Sequence, residues 1–165
     1  MNSKILLFIL TFASISTYAQ NGIRVYGYAQ QQLPGIVPKG NTEQGVPVKK
    51  EIVTDHLIFF SSPKGSQVTL VEMYIKGRPY SIKSGSLLPT PVSQKDNLGK
   101  TRTLVPKTGN EVRQLIMSDY MPGKDFSRAR QKAAVNDVVV VYRYRGKYYS
   151  ATLKKLTKLE PVSNE

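Results

Sequence analysis

The chain has 165 residues, with 24 Lys and Arg against 11 Asp and Glu, and a formal net charge of +13. It contains no Cys, no Trp and a single His. These counts exclude a disulfide framework, a thiol nucleophile, an iron–sulfur cluster, a Cys-ligated zinc and any metal site built from several histidines.

Met1 to Ala19 reads as a cleaved secretory signal. Lys4 supplies the positive start, Ile5 to Ile15 the apolar run, and Thr17-Tyr18-Ala19 a small-x-small cleavage site before Gln20. The apolar run is too short to span a bilayer core of roughly 30 Å, and no later segment is apolar enough to do so. The absence of Cys and of any Asn-x-Ser/Thr sequon favours a bacterial envelope over a eukaryotic secretory route. The expected location is the periplasm or the outer-membrane surface of a Gram-negative cell. The chain from 20 to 165 has the length of one domain that holds a core without staples. An outer-membrane barrel needs at least eight strands of about ten residues, and the Pro- and Gly-rich stretches leave too little strand for that.

The predicted elements follow in chain order. Ile23 to Gln30 alternates and reads as a strand. Residues 33–50 hold six Pro and Gly and read as an irregular loop. Ile52 to Phe60 is β-branched and aromatic, hence a strand. Ser61 to Gly65 is a turn. Val68 to Lys76 is a strand, with Tyr80 to Lys83 as a short partner. Residues 84–100, rich in Ser, Pro and Gly, read as a second irregular loop. Thr101 to Val105 is a strand, and Val112 to Met117 is either a strand or one to two helical turns. Asp125 to Ala134 is the helix candidate, with Asp125 as its cap or in its first turn.

Asp137 to Leu156 carries the strongest pattern, a β-hairpin. Val138, Val140, Tyr142 and Tyr144 share one face of an extended strand, as do Tyr149, Ala151 and Leu153 on the return. The turn has Arg145-Gly146 or Gly146-Lys147 at its centre. The second fits a II′ turn better, because Gly supplies positive φ at the first central position. Ile75 to Ser81 repeats the frame of Tyr144 to Ser150: apolar, basic, Gly, basic, any, Tyr, Ser. Upstream, Val71 and Met73 align with Val140 and Tyr142. Two readings are open: unrelated hairpins that share turn chemistry, or a domain of two similar halves. The expected fold is mainly β, a β-sandwich or partly open barrel of antiparallel hairpins with one short helix.

Catalytic signals are weak. Asp55, His56, Ser61 and Ser62 supply hydrolase-triad residue types, but neighbours in a strand point to opposite faces. No G-x-S-x-G elbow exposes a serine, no phosphate-binding glycine loop is present, and no carboxylate pair is marked out. The expectation is a non-enzymatic protein with no cofactor and no metal.

The charge is the outlying feature. Met121 to Glu160 carries ten Lys and Arg against three carboxylates. Arg143, Arg145, Lys147 and Tyr148 cluster at one hairpin tip, and Lys76 and Arg78 at the other. These six are the expected partner-binding residues, suited to phosphate, sulfate or carboxylate groups. The expected partner is an envelope protein or an anionic glycan or lipid surface. Nucleic acid is disfavoured, because zinc-finger, helix-turn-helix and RNA-recognition signatures are absent.

Overall fold

The computed structural model describes residues 22–33, 53–83, 85–97, 99–118 and 126–163. The expected signal, nearly all of the expected 33–50 loop and Asp125 lie outside them. The described elements are β1 (Arg24–Leu33), β2 (Val53–Ser62), β3 (Val68–Ile75), β4 (Arg78–Lys83), β5 (Leu87–Leu88), β6 (Val92–Lys95), β7 (Thr101–Val105), β8 (Glu111–Ser118), α1 (Ser127–Ala133), β9 (Val138–Tyr144), β10 (Lys147–Leu153), β11 (Thr157–Lys158) and β12 (Val162–Ser163). Strand dominates, with one short helix, as the residue pattern implied.

One sheet runs in the order β10-β9-β3-β4-β8-β2-β1-β11, and β6 pairs with β7 in a separate ribbon. The large sheet curls into an open barrel. Its interior is filled by Val25 of β1, Ile58 and Phe60 of β2, Met73 and Ile75 of β3, Leu115 of β8, Val138, Val140 and Tyr142 of β9, and Ala151 of β10. These positions alternate along each strand, because successive side chains leave opposite faces of a pleated backbone. β10, at one edge of the curl, and β1, next to the short edge strand β11 at the other, share no ladder. They meet through side chains instead: Leu153 of β10 packs over Gly27 of β1.

Two lids cover parts of the outer face. Helix α1 lays Ala129 and Ala133 on Tyr74, Val139 and Val141. The β6–β7 ribbon brings Leu104, Val105 and Val92 onto Phe59, Val112 and Tyr28. This explains the unbroken run Val138 to Val141. Its even residues face the barrel interior and its odd residues face α1, so both sides of β9 are buried. Helix α1 is seven residues long, below the length at which an isolated helix is stable in water. Packing of its two alanines against the sheet holds it. Its N-cap is Phe126, with no side-chain capping bond, so the expected acidic cap is not the one used.

Three expectations change. The 84–100 segment contains β5, which extends the pairing of β8 beyond β4, and β6; Val92 and Leu88 bury apolar surface that its Ser, Pro and Gly content concealed. The β9–β10 turn is centred on Arg145-Gly146, with φ of 49° and 76°, and Lys147 pairs with Tyr144. That is a type I′ geometry rather than II′, with both central residues left-handed. Lys76-Gly77, with φ of 48° and 80°, repeats it. Finally, Val71 does not match Val140. A bulge between Leu70 and Glu72 turns Val71 toward α1, while Val140 faces the interior. The two similar hairpins lie side by side in one sheet, β3 against β9.

Candidate functional site

The structure separates the six expected binding residues into two groups. Ile75 pairs with Val138 at one end of β9, and Val68 with Tyr144 at the other. The tip bearing Lys76 and Arg78 therefore lies at one end of the barrel, and the tip bearing Arg143, Arg145, Lys147 and Tyr148 at the opposite end. At about 3.3 Å per residue along β9, the two tips stand about 20 Å apart. They do not form one patch.

The Lys76 end contains His56. Its ring projects from the same side of β2 as the interior residues Ile58 and Phe60, and it pairs across β1 with Ala29. Burial pushes the imidazole below its usual range, the Lys76 ammonium adds to that, and Asp55 opposes it. His56 Nε2 is buried with no hydrogen-bond partner among the described residues. Asp55 leaves the other face of β2 and accepts a 2.7 Å bond from Gln32 Nε2. Ser61 and Ser62 are buried further along the strand, and Ser61 Oγ accepts a 3.1 Å bond from Asn110 Nδ2. Asp55 and Ser61 are thus bonded elsewhere, and the Asp, His and Ser side chains do not assemble. Among the described residues, no group of three or more His, Asp or Glu side chains is placed to hold a metal ion.

The Tyr148 end contains more than the sequence pointed to. Helix α1 runs beside β10 and leaves a cleft of about 440 Å³, lined by Phe126, Ser127, Arg128, Ala129, Lys132, Val141, Tyr148, Tyr149 and Ser150. The floor is Val141 and Ala129, both buried. Phe126 and Tyr148 form one wall, with ring centroids 5.3 Å apart and planes inclined by 59°. Lys132 Nζ donates a 2.6 Å hydrogen bond to Ser150 Oγ, which ties helix to strand. Arg128 and Lys132 are four residues apart, so they rise from one face of the helix. Arg143 of β9 pairs directly with Tyr148 of β10 and extends the positive border. No carboxylate lines the cleft among the described residues.

Arg128 and Lys132 were the residues missed as site candidates. They stood in the basic run, but their pairing with Tyr148 depends on α1 folding back across β9. The signal available was the i, i+4 spacing of two cations flanking Ala129, which marks opposite faces of one helix for water and for the sheet.

A second cleft of about 280 Å³ lies where the β6–β7 ribbon meets β1. Gln94 Nε2 donates to Gln30 Oε1 at 3.0 Å, and Gln30 Nε2 donates to the Glu160 carbonyl at 3.0 Å. This amide chain fastens the ribbon to the barrel. Asp96 and Glu160 stand among Lys95, Lys100 and Arg102 around it, so its charge is mixed. Among the described residues, no helix is long and apolar enough to cross a membrane. No protein-family model matches the chain, and no curated protein or solved structure shows significant similarity to it.

Proposed function

We propose that the chain is an exported, non-enzymatic interaction module of a bacterial cell envelope, with a basic surface that receives an anionic partner. The observation that carries this reading is the cleft at the Tyr148 end. There Arg128, Lys132 and Arg143 gather around an aromatic wall with no carboxylate among the described lining residues. Cations held on a rigid scaffold attract anionic groups at long range and engage them with charge-assisted hydrogen bonds at contact. The export signal supports a partner in the envelope. Separation of the two basic tips favours the Tyr148 end as the main contact and leaves Lys76 and Arg78 for a second, weaker one.

A dedicated binder of an anionic envelope glycan or lipid is the second reading, and the concave, half-open shape of the cleft is compatible with it. Salt separates the two. Tagged protein is incubated with detergent-solubilised envelope and washed at roughly 0.1 M and then 0.5 M salt, over which the screening length falls from about 10 Å to about 4 Å. Retention of one protein through the high-salt wash supports the adaptor reading, because an apolar interface core resists screening. Recovery of glycan or lipid that is lost at high salt supports the binder. Recovery of nothing in either wash overturns both.

A further inference from the structure

We propose that the cleft between α1 and β10 is a subsite for an acidic sugar ring, a hexose-sized ring carrying one carboxylate or phosphate. The inference rests on the anionic-partner reading and gives that partner a chemical class. Four features of the cleft converge on it.

Its volume of about 440 Å³ falls within the range of roughly 300–1,000 Å³ typical of small-ligand sites, and so suits one ring rather than an extended chain. Its wall is aromatic, with Phe126 and Tyr148 in contact at 5.3 Å. An aromatic face offers an apolar platform to the C–H face of a sugar. Its polar lining carries the hydroxyls of Ser127, Tyr148 and Ser150, while the Tyr149 ring stacks on Tyr142 on the other face of β10. Each hydroxyl donates and accepts, which matches a ligand that is itself a set of hydroxyls. Its charge comes from Arg128 and Lys132, with Lys132 held across the cleft by its 2.6 Å bond to Ser150. An ammonium already positioned loses less side-chain freedom when it meets a carboxylate or phosphate.

A bare inorganic anion would use the two cations and leave the aromatic wall idle. A neutral sugar would use the wall and leave the cations idle. Only a ring that bears charge uses both.

The test is an NMR titration of the ¹⁵N-labelled protein, recovered after expression with its own leader. The probes are glucuronate, glucose 6-phosphate, glucose and inorganic phosphate. One of the two acidic sugars is expected to bind at least about tenfold tighter than both glucose and inorganic phosphate, the scale of one charge-assisted hydrogen bond. Perturbed amides are expected at Phe126, Lys132, Tyr148 and Ser150. The better of glucuronate and glucose 6-phosphate identifies the charged group. Lys132→Gln and Tyr148→Leu should each weaken that binding by about tenfold, whereas Arg78→Gln, at the opposite end, should leave it unchanged. Equal affinity for inorganic phosphate, perturbations centred on Lys76 and Arg78, or no binding of any probe would overturn the proposal. If Lys132→Gln and Tyr148→Leu leave envelope capture intact while Arg78→Gln or Arg145→Gln abolishes it, the sugar site falls and the interaction reading stands.

Discussion

Gly27 of β1 lies directly beneath Leu153 of β10, where a β-carbon at position 27 would stand 2.6 Å from Leu153 Cδ2 and 2.8 Å from Leu156 Cδ2. No hydrogen-bond ladder joins these two strands, so this contact closes the curl on the side where the sheet ends. Gly27→Ala should cost up to about 1 kcal/mol, because the flexible ends of Leu153 and Leu156 can give way, and Gly27→Val about 1–3 kcal/mol through overpacking. Urea denaturation of the two variants checks the order. Equal stability of Gly27→Val and the parent would show that β1 and β10 separate freely.

The two I′ turns place a basic residue at a left-handed position, Lys76 and Arg145. That conformation favours Asn or Gly. Arg145→Asn is expected to stabilise by about 0.5–1 kcal/mol, and Gly146→Ala to destabilise by about 1 kcal/mol or more. If arginine is kept at position 145 for binding, Arg145→Asn gains stability and loses envelope capture together. Thermal unfolding and the capture assay, run on the same sample, read both effects.

Tyr74 Oη donates a 2.7 Å hydrogen bond to Glu72 Oε1, and both residues are buried beneath α1. Tyr74→Phe withdraws a donor from a buried carboxylate and should cost about 1–3 kcal/mol. Glu72→Leu should cost less in the Tyr74→Phe background than in the parent, because the bond between them is already gone. A double-mutant cycle by chemical denaturation measures the coupling. Additive losses would mean that the bond contributes nothing to the docking of the helix.

His56 makes stability depend on pH. The free imidazole titrates near 6.5, and burial first, with Lys76 second, holds the folded one lower. Between those two values the unfolded chain binds more protons than the folded one, so stability falls as the pH drops through that window. Above 6.5 both states carry a neutral ring and the full stability is present. The urea midpoint of the parent should decline on acidification from pH 7 toward 5, and His56→Gln should flatten that decline. Lys76→Met should raise the folded pKa, seen by titration of the His56 ring resonances, and so narrow the window.

Much of the fold is legible in local pattern. The alternation through Val138 to Leu153 specifies a hairpin and its inner face, and the β-branched stretches at 53–62, 68–75 and 101–105 form strands at nearly the expected bounds. Side-chain alternation is a property of each strand alone, so it survives in sequence. The turn type was harder. Gly146 serves either I′ or II′, and the choice rests on whether Arg145 accepts positive φ, which the flanking ladder imposes. The bulge at Val71 is likewise invisible locally, since it answers to the burial of both faces of β3.

Composition and charge by themselves determined that this protein is basic, rich in strand and without cysteine chemistry, because those follow from residue counts and short-range periodicity. Which cations act together was decided only by tertiary structure. Lys76 and Arg145, alike in sequence context, end at opposite ends of the barrel because β3 and β9 pair antiparallel. Arg128 and Lys132 join Tyr148 because two alanines let α1 settle across Val139 and Val141. Contacts of that kind depend on strand order and helix placement, which local spacing does not encode.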